Sequence, residues 1–82
     1  MDYLEYLTRA ILALNAKSSE TLIFHQVCIG SFRGEVLFYL ERMDAHEDDE
    51  YRAILDAATL AELAAKVSTL LKEKGLDVPT LP

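Results

Sequence analysis

The stretch TLIFHQVCIGSFRGEVLFYLERM, residues 21–43, decides the fold of this chain. Its first half is rich in β-branched and aromatic residues, and Gly30 to Gly34 could form a turn before a returning strand. Neither half alternates apolar with polar residues as a half-buried strand should, and Leu40 to Met43 favour a helix. We therefore predict a helix over Ser19 to Met43, bent or broken near the glycines, with a β-hairpin over residues 21–40 as the alternative.

The segments on either side of this stretch also predict helices. In Asp2 to Ala16, apolar residues recur at spacings of three and four, which is typical of an amphipathic helix with one buried stripe. The residues of this stripe are Leu4, Leu7, Ile11 and Leu14. Asp48 to Asp56 predicts a short helix, because Asp48 or Asp49 can cap its first turn.

The last helix, Leu60 to Lys74, is the best specified element of the sequence. Thr59 and Glu62 form a capping box at its start, and Gly75 is typical of a helix end. The predicted fold is thus all-α, a bundle of three to four helices over residues 1–76. Residues 77–82, with two prolines, form an extended tail.

Composition limits the function classes. The chain has 82 residues, of which 51% are apolar, and a domain of this size has too small an interior to bury them all. Cys28 is the single cysteine, which excludes an internal disulfide and fits a cytoplasmic location. Charged and polar residues interrupt the apolar stretch Leu22 to Leu40, so we expect no membrane span. With no basic patch, we also expect no nucleic-acid partner.

The net charge of −6 comes from one segment. Asp44 to Glu62 holds seven acidic residues against Arg52 alone. Carboxylates at a helix start interact favourably with the helix dipole, so structure alone can explain much of this charge. The run Glu47 to Glu50 is also a candidate docking patch for a basic protein surface.

Candidate chemistry is sparse. His25 and Cys28 are three residues apart, a spacing that would place two metal ligands on one face of a helix, but no second pair completes a zinc site. The acidic run lacks the spacing and the glycine of a calcium-binding loop. We find no nucleophile motif and no phosphate-binding loop, and therefore predict no catalytic, cofactor or metal residues.

Two segments resemble acyl and peptidyl carrier proteins. Asp56-Ala57-Ala58-Thr59-Leu60-Ala61-Glu62-Leu63-Ala64 is similar to the start of the last helix of that family, and Ile29-Gly30-Ser31-Phe32 lies roughly where the family keeps its modified serine. The resemblance implies a phosphopantetheine arm on Ser31 at the start of a second helix. Gly30 stands where the family has aspartate.

Taken together, these features predict a small acidic protein-binding module, of adaptor, inhibitor or chaperone-like type, that associates with itself as a dimer. The alternative is a carrier protein modified at Ser31. The excess of apolar residues and the acidic run locate the expected partner-binding residues. These are Ile23, Val27, Gly30, Phe32, Gly34, Glu47, Asp48, Asp49 and Glu50.

Overall fold

The computed structural model describes residues 1–18 and 22–82, and it shows an α+β fold. The elements follow one another as α1 (Tyr3–Ser18), β1 (Ile23–Phe32), β2 (Glu35–Asp44), β3 (Arg52–Ala57) and α2 (Leu60–Glu73). The strands form one antiparallel sheet in the order β1-β2-β3. The predicted all-α bundle is therefore wrong.

The central stretch is a hairpin, not the helix predicted over Ser19 to Met43. All ten residues of β1 pair with β2, from Ile23 opposite Asp44 to Phe32 opposite Glu35. β-Branched and aromatic side chains favour this extended backbone. The alternative of a hairpin over residues 21–40 had the right element type. The expected helix start at Ser19 falls outside the described residues.

A two-residue turn, Arg33 and Gly34, joins the two strands. Both residues lie in the left-handed region, with φ of 54° and 81°. Two-residue turns with positive φ at both positions match the right-handed twist of the flanking strands, and glycine adopts this conformation without steric cost. Gly34 thus belongs to the turn, and the helix break expected near the glycines is a chain reversal.

The short helix predicted over Asp48 to Asp56 is also wrong, because its second half is strand β3. Leu55 pairs with Leu40, and Ala57 pairs with Phe38, which gives both β3 residues a place beside the core. The register shifts by one residue next to Leu40, where Ile54 forms a β-bulge. Pairing with β2 outweighs the local preference for a helix start.

Both helices pack on one face of the sheet. The fully buried side chains come from α1, the sheet and α2. They are Tyr6, Leu7, Ala10, Leu14, Leu40, Ala57, Leu63, Ala64, Val67 and Leu71. The stripe predicted for α1 is rotated, since Leu4 is 61% exposed and Tyr6 takes a core position. The tail residue Val78 also packs against this core.

The predicted ends of the last helix are confirmed. The Thr59 hydroxyl accepts the backbone N–H of Glu62 at 3.1 Å, as an N-cap should. At the other end Gly75 has a φ of 68°, and the N–H of Leu76 donates to the Leu71 carbonyl at 3.0 Å. This glycine-terminated cap satisfies the last carbonyls of the helix.

Candidate functional site

The face of the sheet opposite the helices, here called the outer face, carries a group of large apolar side chains. Successive residues of a strand point to opposite faces, so neighbours of the buried Leu40 and the core-packed Val27 lie on the outer face. Most of the group is half-buried, and Phe32 is 61% exposed. Its members are Phe24, Cys28, Phe32, Leu37, Tyr39 and Met43.

Gly30 lies within this group and shapes it. A Cβ atom built on Gly30 would stand 2.8 Å from Cε2 of Tyr39, which is closer than carbon atoms normally approach. The ring of Tyr39 therefore lies over the glycine on the neighbouring strand, with its Cε2 edge nearest. Such an aromatic contact covers a strand glycine and fixes the position of the ring.

Carboxylates lie both around and within the apolar group, since the pair of Gln26 and Glu41 separates Phe24 and Met43 from the other members. By strand alternation Glu35, Glu41 and Asp56 share the outer face, and none of the described strand residues on that face is lysine or arginine. The Glu41 carboxylate accepts a hydrogen bond from the Gln26 amide at 2.8 Å. Burial raises the pKa of the Cys28 thiol, and Glu41 raises it further through a hydrogen bond and its charge.

The acidic loop between β2 and β3 is partly neutralised within the chain. Arg52 donates to both carboxylate oxygens of Asp48, at 2.7 and 3.3 Å, and lies 3.8 Å from Glu50. The hydrogen bond from Arg52 is the main cause that lowers the pKa of Asp48. Glu47 and Asp49 are exposed to solvent. Glu50 is exposed as well, with 78% of its side chain accessible, whereas Asp48 is half-buried.

The structure does not bring the remaining predicted site residues together. Ile23 and Val27 belong to the face that meets the helices, whereas Gly30 and Phe32 belong to the outer face. Gly34 lies in the turn. Sequence reasoning missed the β2 side chains of the outer face, because it placed them on a helix. Once the stretch is assigned as strands, residues two apart share a face, and these side chains group together.

His25 is a core residue on the helix-facing side. Its backbone N–H donates to the Asn15 side-chain oxygen at 2.8 Å, and that oxygen lies 3.1 Å from Nδ1 of the imidazole. Because an amide oxygen only accepts, Nδ1 carries the proton. Burial, assisted by the positive charges of Lys74 and Arg42, lowers the pKa of His25 to about 4. The imidazole is therefore neutral at pH 7.

The two candidate metal ligands point away from each other. His25 faces the helices and Cys28 lies on the outer face, because an odd spacing along a strand places residues on opposite sides. Over residues 1–18 and 22–82, no three side chains of the metal-binding types are grouped as a metal site requires.

Ser31 is exposed near the end of β1, one residue before Phe32 closes the hairpin. The carrier resemblance implies a serine at a helix start, and the structure places this serine on a strand. The second segment of that resemblance, Asp56 to Ala64, spans the end of β3 and the start of α2.

A cleft of about 340 Å³ opens between β3 and α2. Its lining includes Ala53, Ile54 and Leu55, together with Asp56 and Lys66. The Lys66 ammonium donates to the backbone carbonyl of Asp56 at 2.6 Å. The lysine thus closes part of the free edge of β3.

No known family model, curated protein or solved structure matches this chain. Neither of the two described helices has the length and the apolar character needed to cross a membrane.

Proposed function

We propose that the chain is a small protein-binding module that acts through its outer face. The observation that supports this function is the second apolar face of the sheet. Antiparallel sheets of soluble proteins commonly bury one face and leave a polar one in water, but here the outer face also carries large apolar side chains. Cys28, Phe32, Leu37 and Tyr39 form a contiguous apolar surface around Gly30. An apolar surface with polar neighbours is typical of a protein contact site.

The charge distribution indicates which chemistry the partner should have. Glu35, Glu41 and Asp56 lie on the outer face beside these apolar residues, and Glu47 and Asp49 are exposed in the loop at one end of the sheet. The complementary surface is an apolar patch edged by lysine and arginine. Apolar contact would provide most of the affinity, and opposite charge would increase the rate of encounter. Such binding without catalysis suits an adaptor, inhibitor or chaperone-like protein of the cytoplasm.

Two matched variants test the surface. Leu37→Glu introduces a charge into the outer face, whereas Leu12→Glu introduces the same charge on α1, where Leu12 is 64% exposed. Each protein is immobilised and used to capture proteins from a cell lysate. Proteins retained by the wild type and by Leu12→Glu, but not by Leu37→Glu, are candidate partners. With one of them purified, titration calorimetry should show a loss of at least about tenfold in affinity for Leu37→Glu alone. Equal affinities for both variants would exclude the outer face as the binding site.

The loop acids can be tested separately with the same purified partner. Glu47→Gln combined with Asp49→Asn removes two exposed charges and leaves the contacts between Asp48 and Arg52 intact. We expect slower association with an unchanged dissociation rate, and a weaker dependence of the association rate on salt. Surface plasmon resonance at two salt concentrations measures these rates. An unchanged association rate would exclude the loop from the binding mechanism.

A second candidate function is that of a carrier with a modified Ser31. The observation in its favour is that Ser31 is exposed beside the hairpin turn, where a transferase could reach its hydroxyl. The helical fold that the resemblance implies is wrong, whereas modification of the serine stays a prediction. Intact mass after co-expression with a phosphopantetheinyl transferase tests it, with Ser31→Ala as the control. An unmodified wild-type mass would exclude the carrier function.

A further inference from the structure

The backbone groups of β1 point alternately to β2 and to the free edge of the sheet. The N–H of Ala45, in the extension of β2, donates to the carbonyl of Leu22. The backbone N–H and C=O groups of the even-numbered β1 residues therefore point to β2. The backbone groups of the odd-numbered residues point to the free edge, as the hydrogen bond from the His25 N–H to Asn15 of α1 shows. Val27, Ile29 and Ser31 therefore present their N–H and C=O groups at the edge.

This free stretch is bounded at both ends. Asn15 acts like a short piece of neighbouring strand, since its oxygen accepts the N–H of His25 at 2.8 Å and its amide approaches the His25 carbonyl at 3.5 Å. At the other end the hairpin turn begins at Arg33. His25 and Arg33 are each four residues from Ile29, so Ile29 is the centre of the free stretch.

The edge is uncharged in a chain that is otherwise strongly acidic. From Ile23 to Phe32 there is no acidic or basic side chain apart from the neutral His25, and there is no proline. Ile29 is 68% exposed, more than any other large apolar side chain of the described chain. Natural edge strands are normally protected from pairing by charge, proline or a covering element.

The opposite edge of the same sheet has that protection. β3 is six residues long, has a bulge and carries Arg52 and Asp56. Lys66 also occupies one of its outward carbonyl groups, at 2.6 Å. The contrast between the two edges indicates that β1 is left open to a strand partner.

We propose that β1 pairs antiparallel with β1 of a second copy, about a twofold axis at Ile29. In this register Ile29 lies opposite the partner's Ile29, and Val27 lies opposite the partner's Ser31. All three outward-facing residues then form backbone hydrogen bonds, and the pairing ends where Asn15 closes each edge. The result is a continuous six-stranded sheet in which the exposed side chain of Ile29 packs against that of the partner's Ile29.

Charge and symmetry favour a second copy over a foreign strand. Antiparallel pairing places the two acidic loops at opposite ends of the dimer, so the negative charges do not meet across the contact. The stretch Val27 to Ser31 can pair with itself, because its central residue, Ile29, presents both its N–H and its C=O at the edge. This proposal extends the protein-binding function, since the two outer faces join into one surface, but a dimer could form even if that face binds nothing.

A cysteine scan tests the register in the full chain with Cys28→Ser. In an antiparallel hydrogen-bonded pair the Cα atoms are about 5.5 Å apart, which is within the range of a disulfide. Ile29→Cys should therefore crosslink two copies under mild oxidation. Ser31→Cys is the matched control, because its Cα would lie about 14 Å from that of the same residue in the partner. Crosslinking at residue 31 but not at residue 29 would overturn the register.

A second variant tests the pairing itself. Ile29→Pro removes an N–H that faces away from β2, so the hairpin ladder stays intact. Sedimentation should show a dimer for the wild type and at least about tenfold weaker dimerisation for Ile29→Pro. A wild type that stays monomeric at high concentration would overturn the proposal. An Ile29→Pro variant that dimerises as strongly as the wild type would overturn it as well. Leu37→Glu should leave the dimer intact, so failure of the outer-face function remains distinguishable from failure of edge pairing.

Discussion

The ring of Tyr39 lies across Gly30 on the neighbouring strand, so close that a methyl group at residue 30 would stand 2.8 Å from ring carbon Cε2. The contact covers a glycine that would otherwise leave strand backbone open to water. It also holds a large aromatic ring in place on the outer face. Strand stability and the shape of the proposed binding surface are thus coupled through one pair of residues.

The coupling predicts a non-additive double-mutant cycle. In the wild type, Gly30→Ala should destabilise the chain by about 1 kcal/mol, because the ring must move away. With Tyr39→Ala already present, Gly30→Ala should instead stabilise it by about 0.5–1 kcal/mol, since alanine is better than glycine in a strand interior. Urea unfolding of the four proteins measures the difference. Equal effects of Gly30→Ala in both backgrounds would show that the ring does not depend on the glycine.

A second prediction concerns the pH dependence of stability. The pKa of His25 is about 4 in the folded chain, against an ordinary value of 6.5. Between these values the unfolded chain binds more protons, so stability is complete above pH 6.5 and falls as the pH decreases toward 4. The loss by pH 4.5 should reach about 2–3 kcal/mol, at about 1.4 kcal/mol per pKa unit.

The variant His25→Gln should remove this part of the pH dependence. Urea unfolding at pH 7.5 and pH 4.5 gives the stability difference for each protein, and the difference should be smaller in the variant. Carboxylates titrate in the same range, but they are common to both proteins and cancel in the comparison. Identical pH profiles would contradict a neutral, buried His25.

A third prediction follows from the hydroxyl of Tyr6. Its oxygen is buried without a hydrogen-bond partner among the described residues, although the side chain is at the centre of the core. A buried hydroxyl that lacks a partner costs about 1–3 kcal/mol. Tyr6→Phe should therefore leave stability unchanged or raise it by about 1 kcal/mol, measured as the urea midpoint. Tyr3→Phe is the control, since Tyr3 is only partly buried. Destabilisation by Tyr6→Phe alone would reveal a partner for the hydroxyl.

The elements that were predicted correctly are those with local signals. Helix α2 begins and ends at residues whose side chains or φ angles act within one turn, such as Thr59 and Gly75. The period of α1 was also clear, although Tyr6 rather than Leu4 enters the core. Caps and helical periodicity depend on residues at most four positions apart, so a single sequence contains them.

The strands could not be recognised by alternation, because both faces of β1 and β2 carry apolar residues. Val27 packs against the core, and the next residue, Cys28, lies on the outer face. Two apolar residues thus follow one another where a half-buried strand would have one apolar and one polar residue. β3 was hidden for another reason, since its pairing with Leu40 is a contact between distant parts of the chain. The missing alternation that concealed the hairpin is also the observation that supports a partner for the outer face.

A last prediction concerns the protected edge of the sheet. Lys66 donates to the Asp56 carbonyl at 2.6 Å and lies 3.9 Å from the Asp56 carboxylate. Lys66→Ala should expose this carbonyl and leave β3 with unpaired backbone groups, which promote association between edges. Stability should change by less than about 1 kcal/mol, since the contact is exposed to solvent.

We expect Lys66→Ala to form species larger than a dimer, because each copy would then have two open edges. Light scattering over a concentration series detects them, and Lys66→Arg, which keeps a donor at the same position, should behave like the wild type. Combining Lys66→Ala with Ile29→Pro separates the two edges, because association through β3 alone should give no more than a dimer. If Lys66→Ala scattered light like the wild type at every concentration, the bulge and the short length of β3 would be sufficient to protect that edge.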